Sequence, residues 1–308
     1  MMAIIFDGKS FAKEKEVKLI EEIKRLSEKG IKPKLVSILI GDNPASILYI
    51  NLKKKAAERI GCALEVVYFP QDTSMIRIIE VINEMNTNQS VHGIMVQLPL
   101  PRNFSKEDRD EIINAIAKEK DVDGLREDSS FLTPTVKAVL EVIKEATLYL
   151  PFQPEAHANG LSSSGRDRPL DEKVVIIGAK GFEGKKIFKV LKEMGYEVEG
   201  VDRKTPYRSY LALPAQSYAV DGGAPSRGDF TGQAKNADIL ISATGSPGII
   251  GKDEVKEGAV VIDVGSPKGD VKTEEIMKKA SFISPVPGGL GPVTISCLLE
   301  NLVEAARR

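Results

Sequence analysis

Short apolar runs alternate with longer segments of helical periodicity in the N-terminal part of the chain. Apolar runs bounded by polar residues indicate buried strands, whereas apolar positions three and four apart indicate helices that cover a core. Ser10 and Ser105 are predicted N-caps, and Gly30 and Gly61 are predicted helix stops. The predicted strands are 35–40, 63–69 and 93–96, and the predicted helices are 11–29, 45–60, 75–86 and 107–117.

A second series of the same kind begins at Lys173. Alternation of strands with helices is typical of parallel sheets that are covered on both faces, so we predict an α/β protein with two α/β domains. The last helix, after Pro292, is expected to pack back on the first domain. The predicted strands of this series are 174–177, 197–201, 239–242, 259–262 and 280–284, and its first crossover helix is 185–194.

The composition is that of an ordinary globular protein. The chain has 308 residues, of which 28% are charged and 42% hydrophobic, and its formal net charge is −1. This length favours about two domains, and the charge balance gives no reason to expect nucleic acid as a partner. No apolar run approaches the ~20 residues that a membrane helix needs, so we expect a cytoplasmic protein without a membrane partner. Two cysteines and two histidines, in no cluster, predict neither a disulfide nor a metal site.

Two segments, 151–170 and 206–233, depart from the composition of the rest. They contain no lysine and no isoleucine and are rich in proline, glycine, serine, alanine and arginine. Such stretches rarely form regular structure, so we predict long surface loops or inserted sequence.

The segment from Pro285 to Thr294 combines three prolines with three glycines, at Gly288, Gly289 and Gly291. Glycine permits a positive φ or a close approach of backbone to a flat ligand, and proline restricts the shapes that a loop samples. The pattern is compatible with a binding loop and, taken alone, equally with an irregular turn.

Three short strings in the first domain carry polar groups that chemistry could use. Tyr49 and Lys53 are four residues apart and share one helix face, although a run of solvated lysines has the same appearance. Gln97 follows a buried strand, and the carboxyl ends of parallel strands are where ligands bind. Asp123 lies in Lys-Asp-Val-Asp-Gly, which is compatible with a plain charged turn or with a carboxylate that accepts two N–H donors of a ligand.

The second domain contains a glycine turn between a strand and a helix, from Gly178 to Gly184. Its spacing is Gly-x-x-Gly-x-x-Gly, which is a weak form of the turn that places backbone N–H groups against a pyrophosphate. Asp202 and Arg203 follow the next strand. An acidic residue there favours NAD and a basic one NADP, so the residues alone leave the choice open.

Together these strings resemble the bifunctional methylenetetrahydrofolate dehydrogenase/cyclohydrolase family (FolD-like). Its C-terminal signature, Pro-Val-Pro-Gly-Gly-x-Gly-Pro-x-Thr with Leu-x-x-Asn, matches the stretch from Pro285 to Asn301. Tyr-x-x-x-Lys, Gln-Leu-Pro-Leu-Pro and Lys-Asp-Val-Asp-Gly match in the first domain, and Ala-Thr-Gly and Val-Asp-Val-Gly in the second. The resemblance implies a folate-binding catalytic domain, 1–138 completed by helix 291–308, and a Rossmann-like NAD(P)-binding domain, 139–290.

The resemblance also implies an activity and the residues that perform it. Such an enzyme oxidises 5,10-methylenetetrahydrofolate with NADP, hydrolyses the product to 10-formyltetrahydrofolate and is typically a homodimer joined through its cofactor domains. The implied catalytic residues are Lys53, Tyr49, Gln97 and Asp123. The implied substrate-binding residues are Tyr49, Gln97, Leu98, Pro99, Asp123, Pro287, Gly288, Gly289, Gly291, Pro292 and Thr294. The implied cofactor-binding residues are Gly178, Ala179, Lys180, Gly181, Gly184, Arg203, Lys204, Ala243, Thr244, Gly245, Asp263 and Gly265. Arg203 falls near the expected 2′-phosphate and Lys204 adds charge, so NADP is predicted rather than NAD.

The chain departs from the family pattern in two places. The His-Pro pair and the Pro-Cys-Thr-Pro-x-Gly string that usually follow Asp123 are lost except for Thr133-Pro134. Ala179 replaces an arginine of the glycine turn, and Lys180 is expected to face the phosphates instead. Two alternatives therefore stand beside the folate enzyme: a two-domain NAD(P)-dependent dehydrogenase of a non-folate acid, and a folate-enzyme scaffold whose inserted loops have altered or abolished cofactor use.

Overall fold

The computed structural model describes residues 2–149, 172–202 and 231–308. The two atypical segments lie outside these ranges except for residues 231–233, which belong to a short helix. The chain divides into two compact units. The three-stranded unit contains Lys9–Ala138 and Pro292–Arg308, and the six-stranded unit contains Met1–Gly8 and Val139–Gly291.

The three-stranded unit is a parallel sheet in the order β3-β2-β4, covered on both faces. Side chains alternate along the central strand: Leu35 and Leu39 join one core cluster, and Val36, Ile38 and Ile40 join the other. The strands are β2 Lys34–Ile40, β3 Ala63–Phe69 and β4 Gly93–Val96; the helices are α1 Gly8–Glu28, α2 Pro44–Ile60, α3 Met75–Thr87, α4 Lys106–Asn114 and α9 Leu290–Arg307.

Helix α9 contributes Leu298, Leu299, Leu302 and Val303 to the first of these clusters. The predicted return of the last helix to the first domain is therefore confirmed. Packing of an apolar helical face against the sheet is what holds such a segment in place.

The six-stranded unit is a parallel sheet in the order β1-β9-β8-β7-β5-β6. Its central strands are fully buried on both faces, as expected for a parallel sheet. The strands are β1 Ile4–Ile5, β5 Val174–Ile177, β6 Val198–Val201, β7 Ile239–Ser242, β8 Val260–Asp263 and β9 Phe282–Ser284; the helices are the 3₁₀ turn Thr147–Tyr149, α6 Phe182–Glu193, α7 Thr231–Ala234 and α8 Thr273–Ile276. Helix α5, Pro134–Ala146, crosses the division of the chain, since its residues up to Ala138 belong to the three-stranded unit.

The first residues of the chain belong to the six-stranded unit, which corrects the predicted boundary. Ile4 pairs with Phe282 and Ile5 with Ile283, so β1 is the edge strand beside β9. A two-residue strand is too short to display any periodicity, and the partner strand lies at the other end of the chain. The prediction that residues 1–8 belong to the first domain is therefore wrong.

Helix ends test the predicted caps. Ser105 forms a capping box with Asp108, and Gly61 caps the end of α2, both as predicted. Ser10 is not an N-cap, because α1 already begins at Gly8. No described helix is both long and apolar enough to cross a membrane.

Candidate functional site

Lys53 and Gln97 are brought together in the three-stranded unit. Lys53 Nζ lies 3.1 Å from Gln97 Oε1 and 3.7 Å from the sulfur of Met95. Lys53 comes from α2, whereas Met95 and Gln97 lie at the carboxyl end of β4. The lysine is therefore half-buried and turned towards the sheet rather than lying in a solvated run.

Two opposing effects set the pKa of Lys53. Burial is the larger and lowers the pKa from its ordinary 10.5, and the charge of Asp123 raises it. The net direction is downward, which increases the fraction of neutral amine available to accept a proton. The influence of Asp123 also places this carboxylate within electrostatic range of the amine.

Gln97 is oriented by its own neighbour. Its Nε2 donates to the carbonyl oxygen of Leu98 at 2.8 Å, which leaves Oε1 directed at Lys53. Leu98 and Pro99 continue this strand exit and stand half-buried and exposed, respectively. Tyr49 lies one turn before Lys53 on α2 and is also half-buried.

The loop that carries Asp123 is fixed by a residue from the far end of the chain. Asn301 Nδ2 donates to the carbonyl oxygens of Val122 and Leu132 at 2.8 and 3.0 Å. Its Oδ1 accepts from Lys137 Nζ at 2.9 Å. Asn301 is 1% exposed, so α9 holds the backbone immediately before Asp123 through a fully buried amide.

The glycine segment is divided between a turn and a helix. Helix α9 begins at Leu290, one residue before the predicted helix 291–308, so Gly291, Pro292 and Thr294 lie in its first turns. Proline is tolerated there because the first N–H groups of a helix lack partners anyway. The turn itself spans residues 285–289.

Glycine is needed at different positions of this turn, and at Gly8 beside it, for different structural reasons. Gly288 has φ 101°, and a Cβ added there would point into open space. A Cβ added at Gly8 would instead overlap the carbonyl oxygen of Gly289, and a Cβ at Gly289 would lie 2.5 Å from the carbonyl oxygen of Pro285. Gly8 and Gly289 thus allow close backbone packing, whereas Gly288 leaves room beside exposed Pro287.

The glycine turn of the six-stranded unit lies at the N-terminus of α6, directly after β5. Gly178 has φ 86°, and Gly181 is the N-cap residue without a side-chain cap. A Cβ at Gly184 would overlap the carbonyl oxygen of Gly178. The turn therefore needs glycine for close approach and leaves helix N–H groups for an anionic ligand, which fits a dinucleotide pyrophosphate.

Ala179 and Lys180 belong to this turn, and Asp202 follows the neighbouring strand β6. Ala179 is buried, and its Cβ would lie 2.7 Å from a Cβ added at Gly200 on β6. Lys180 is exposed, and its backbone N–H donates to Asp202 Oδ1 at 3.1 Å. Arg203 and Lys204 lie outside the described residues, so the predicted 2′-phosphate contacts stay a prediction.

The ends of β7 and β8 carry the remaining predicted cofactor residues. Ser242 pairs with Asp263 in register, so the loops that begin at Ala243 and lead to Gly265 leave the same sheet edge. Both oxygens of Asp263 are used by its own loop, because they accept from Gly265 N at 2.8 Å and Val271 N at 3.0 Å. Asp263 is fully buried, so its carboxylate holds its own loop rather than facing the sheet edge as a free ligand.

Asp270, Ser242 and Asn301 were missed as functional residues by sequence reasoning. Asp270 accepts hydrogen bonds from Ser242 and Thr244, 28 and 26 residues earlier. In the sequence it stands in Lys-Gly-Asp, which has the appearance of a solvated turn. Asn301 gave a clearer signal, since it is a polar residue on the apolar face of the last helix.

The neighbouring strands β7-β5-β6, with a glycine turn at a helix N-terminus, define a dinucleotide-binding enzyme of Rossmann type. The chain belongs to the tetrahydrofolate dehydrogenase/cyclohydrolase family. The family's catalytic-domain model matches residues 6–123, and its NAD(P)-binding-domain model matches residues 158–308.

Relatives in sequence and structure span the full chain. The bifunctional protein FolD of Moorella thermoacetica is 38% identical over 315 residues, covering 100% of both chains, and that of Bacillus licheniformis is 36% identical over 324 residues, covering 100% and 99%. The crystal structure of the bifunctional enzyme FolD from Campylobacter jejuni has a TM-score of 0.80 at 34% identity and covers 99% of each chain. The Trypanosoma brucei enzyme, complexed with NADP cofactor and inhibitor, has a TM-score of 0.81 at 27% identity and covers 100% and 98%.

Proposed function

We propose that this protein oxidises 5,10-methylenetetrahydrofolate to 5,10-methenyltetrahydrofolate with NADP and hydrolyses the product to 10-formyltetrahydrofolate. Membership of the family over both halves of the chain supports the pair of activities. The single observation that carries the proposal is the 3.1 Å contact between Lys53 Nζ and Gln97 Oε1, with a lysine whose pKa burial lowers. A dehydrogenase for a non-folate acid has no hydrolytic step and would not need a base for an attacking water.

Hydrolysis needs a group that takes a proton from the attacking water. Water adds to the positively charged methenyl carbon, and the amine of Lys53 accepts the proton as the carbon–oxygen bond forms. Cleavage of the bond between this carbon and N5 then leaves the formyl group on N10, and one proton is released overall. Gln97 orients the amine, whereas Tyr49 and Asp123 are proposed to stack on and hydrogen-bond the pterin.

NADP, when bound, supplies the hydride acceptor for the oxidation. The residues proposed to hold it are the turn from Gly178 to Gly184, with exposed Lys180 beside the phosphates. Arg203 and Lys204 are proposed to favour the 2′-phosphate. Ala243, Thr244, Gly245 and Gly265 are proposed to line the nicotinamide side, with Asp263 holding its loop. The missing arginine at Ala179 is offset in this proposal by the cationic side chain of Lys180.

Substitution of Lys53 tests the assignment. In Lys53→Met the proton acceptor is absent, so we expect loss of methenyltetrahydrofolate hydrolysis. The rate at which the substrate's absorbance decays measures this activity. Lys54→Met is a matched control, since Lys54 is the exposed next residue and should retain hydrolysis. Full hydrolysis by Lys53→Met would refute the proposal.

Substrate and cofactor choice distinguish the alternatives. NADP reduction with methylenetetrahydrofolate, compared with a panel of hydroxy and amino acids, separates a folate enzyme from another dehydrogenase. Parallel assays with NADP and NAD detect altered cofactor use. Cofactor reduction only with a non-folate acid would favour a dehydrogenase of such an acid. Absence of reduction with either cofactor would favour a folate-enzyme scaffold whose cofactor use is abolished.

We also propose a cytoplasmic homodimer with a small-molecule folate substrate, on the basis of the family resemblance. Light scattering after size exclusion should give twice the 33.5 kDa chain mass. A monomeric mass at working concentrations would count against the dimer without affecting the proposed reactions.

A further inference from the structure

The carboxylate of Asp270 is a buried anchor for the loop that leaves β7. Its Oδ2 accepts from Ser242 Oγ, from the backbone N–H of Thr244 and from Thr244 Oγ1, each at 2.8 Å. Thr244 Oγ1 in turn accepts from the backbone N–H of Ser246 at 3.1 Å. One oxygen atom therefore fixes the strand end at Ser242 and Thr244 in the loop, and Thr244 in turn holds Ser246.

The other oxygen makes this arrangement energetically costly. Asp270 is fully buried, and its Oδ1 has no hydrogen-bond partner among the described residues. A Cβ added at Gly265 would lie 2.8 Å from Asp270 Oδ1 and 2.9 Å from Asp263 Oδ1, so the two carboxylates border the same small space. A buried carboxylate oxygen without a hydrogen bond is costly, and an apolar replacement of such a group would often be neutral or stabilising.

A costly buried group is a candidate for a functional role when it fixes a loop that function uses. The loop held by Asp270 contains Thr244 and Gly245, which are proposed to line the nicotinamide side. The same small region extends to the glycine segment, because a Cβ at Gly269 would lie 2.6 Å from Asp263 Oδ2 and 3.1 Å from Val286 Cβ. Asp263 and Asp270 thus border or hold several loops of the six-stranded unit.

We propose that Asp270 is a positioning residue for the oxidation step, acting through Thr244. This inference rests on the proposed function. Asp270 holds the loop in one conformation before the cofactor arrives, so that hydride transfer begins from an aligned geometry. Hydride transfer is sensitive to such alignment, since a displacement of about 1 Å can cost about 100-fold in rate.

The test compares Asp270→Ala and Asp270→Asn with a matched control, Glu254→Ala. Asparagine can place its amide oxygen at the position of Oδ2 and direct its N–H groups at Asp263, so it should preserve the anchor. Glu254 is another buried carboxylate of this unit that accepts one backbone N–H, from Gly251 at 2.8 Å, but does not hold the β7 loop. Ser242→Ala, which removes one of the three bonds, serves as a second variant if Asp270→Ala does not fold.

Two measurements are made on each variant. Amide hydrogen exchange at Thr244 in the cofactor-free protein reports the loop directly, independently of turnover. Single-turnover NADPH formation and NADP affinity separate alignment from binding. For Asp270→Ala we expect loss of protection at Thr244 and a fall in the hydride-transfer rate of about 10- to 100-fold. NADP affinity should change much less, and the ratio of oxidation to hydrolysis should fall.

Asp270→Asn should restore both the protection at Thr244 and the hydride-transfer rate. Ser242→Ala should show a smaller loss of both. Glu254→Ala should leave Thr244 exchange and hydride transfer near wild type. Unchanged exchange and rate in Asp270→Ala or, if that variant does not fold, in Ser242→Ala would overturn the inference. Equal losses in Asp270→Ala and Glu254→Ala would overturn it as well, because they would indicate a general structural role. A wild-type protein inactive on folates refutes the proposed function instead, which distinguishes the two failures.

Discussion

Lys53 depends on its surroundings for its protonation state. Burial favours the neutral amine and Asp123 favours the ammonium ion, and burial has the larger effect on the pKa. Only the neutral form accepts a proton from water, so hydrolysis should rise with pH through the pKa of Lys53. The ascending limb should therefore lie below the ordinary value of 10.5.

Asp123→Asn changes the position of this limb in a defined direction. Removal of the carboxylate charge lowers the pKa of Lys53 further, so the ascending limb of kcat/KM for hydrolysis should move to lower pH. The absolute rate is expected to fall as well, because Asp123 is proposed to bind the pterin. A pH–rate profile, corrected for uncatalysed hydrolysis, measures the shift. Movement of the limb to higher pH would contradict the assigned electrostatics.

Gly184 tests the cofactor turn at the same scale. Gly184→Ala places a methyl group against the carbonyl oxygen of Gly178, so the turn must shift at a cost of about 1–3 kcal/mol. NADP affinity, measured by calorimetry, should fall by about 10- to 100-fold. Gly232→Ala is the matched control, because a Cβ there meets open space. Equal affinities for the two variants would exclude a close-packed turn as the binding element.

Local spacing explains which site residues the sequence revealed. Tyr49 and Lys53 were predicted to share a face because the helical period acts over four residues. Asn301 contacts the carbonyl oxygens of Val122 and Leu132, 179 and 169 residues earlier, and no local pattern contains such a contact. Asp270 was missed for the same reason. Tertiary structure alone brings these polar groups to their partners.

At the scale of elements, α1 and α2 are joined by a buried carboxylate. Glu16 is 6% exposed and accepts two hydrogen bonds from Arg59, at 2.8 and 2.5 Å. The guanidinium itself is half exposed. Because Glu16 is buried, it needs the guanidinium of Arg59: an unpaired carboxylate in the interior has a high cost in free energy.

Arg59→Met should lower the free energy of unfolding by about 1–3 kcal/mol, since Glu16 loses both charged donors. Urea denaturation measures the change. Arg77→Met removes the exposed pair with Glu80 and should cost only about 0.2–0.5 kcal/mol. A larger loss for Arg77→Met than for Arg59→Met would contradict this account.

Element boundaries were predictable where burial is continuous. The strands Val174–Ile177 and Ile239–Ser242 occur at the predicted residues, because both faces are apolar and the runs end in glycine or polar positions. Several elements were not predicted. β1 is too short to show a pattern, and the start of α5 at Pro134 was interpreted only as part of a motif. The 3₁₀ turn, α7 and α8 have only three or four residues each, and α7 begins within the segment 206–233 that was predicted to be a loop.

At the scale of the whole molecule, each unit is assembled from two separate stretches of chain. The three-stranded unit needs α9 for its core, and the six-stranded unit needs β1 for its edge. Glu300 on α9 adds ion pairs to Lys15 and Lys137 within the three-stranded unit. Burial alone would raise the pKa of Glu300, but these two lysines outweigh it and hold that pKa below its usual range.

Leu302→Ala tests this division of the chain. Leu302 is fully buried on α9, so its truncation should cost about 2–5 kcal/mol and accelerate amide exchange in β2 and β4. Leu240→Ala on β7 is the matched control and should accelerate exchange in β5 and β8 instead. Acceleration of both sheets by either substitution would indicate that the units do not unfold separately.

The pairing of β1 with β9 has a consequence for biosynthesis. Residues 4–5 are translated long before their partners at 282–283 and before the helix that completes the other core. A nascent chain can therefore complete the six-stranded sheet only after β9 and the core of the other unit only after α9, and such late closure of long loops is slow. Premature termination near Gly291 would leave the six-stranded unit with all its strands but would deprive the three-stranded unit of α9, whose leucines belong to its core. Such a truncated chain would expose the apolar surface that α9 covers and should be prone to aggregate.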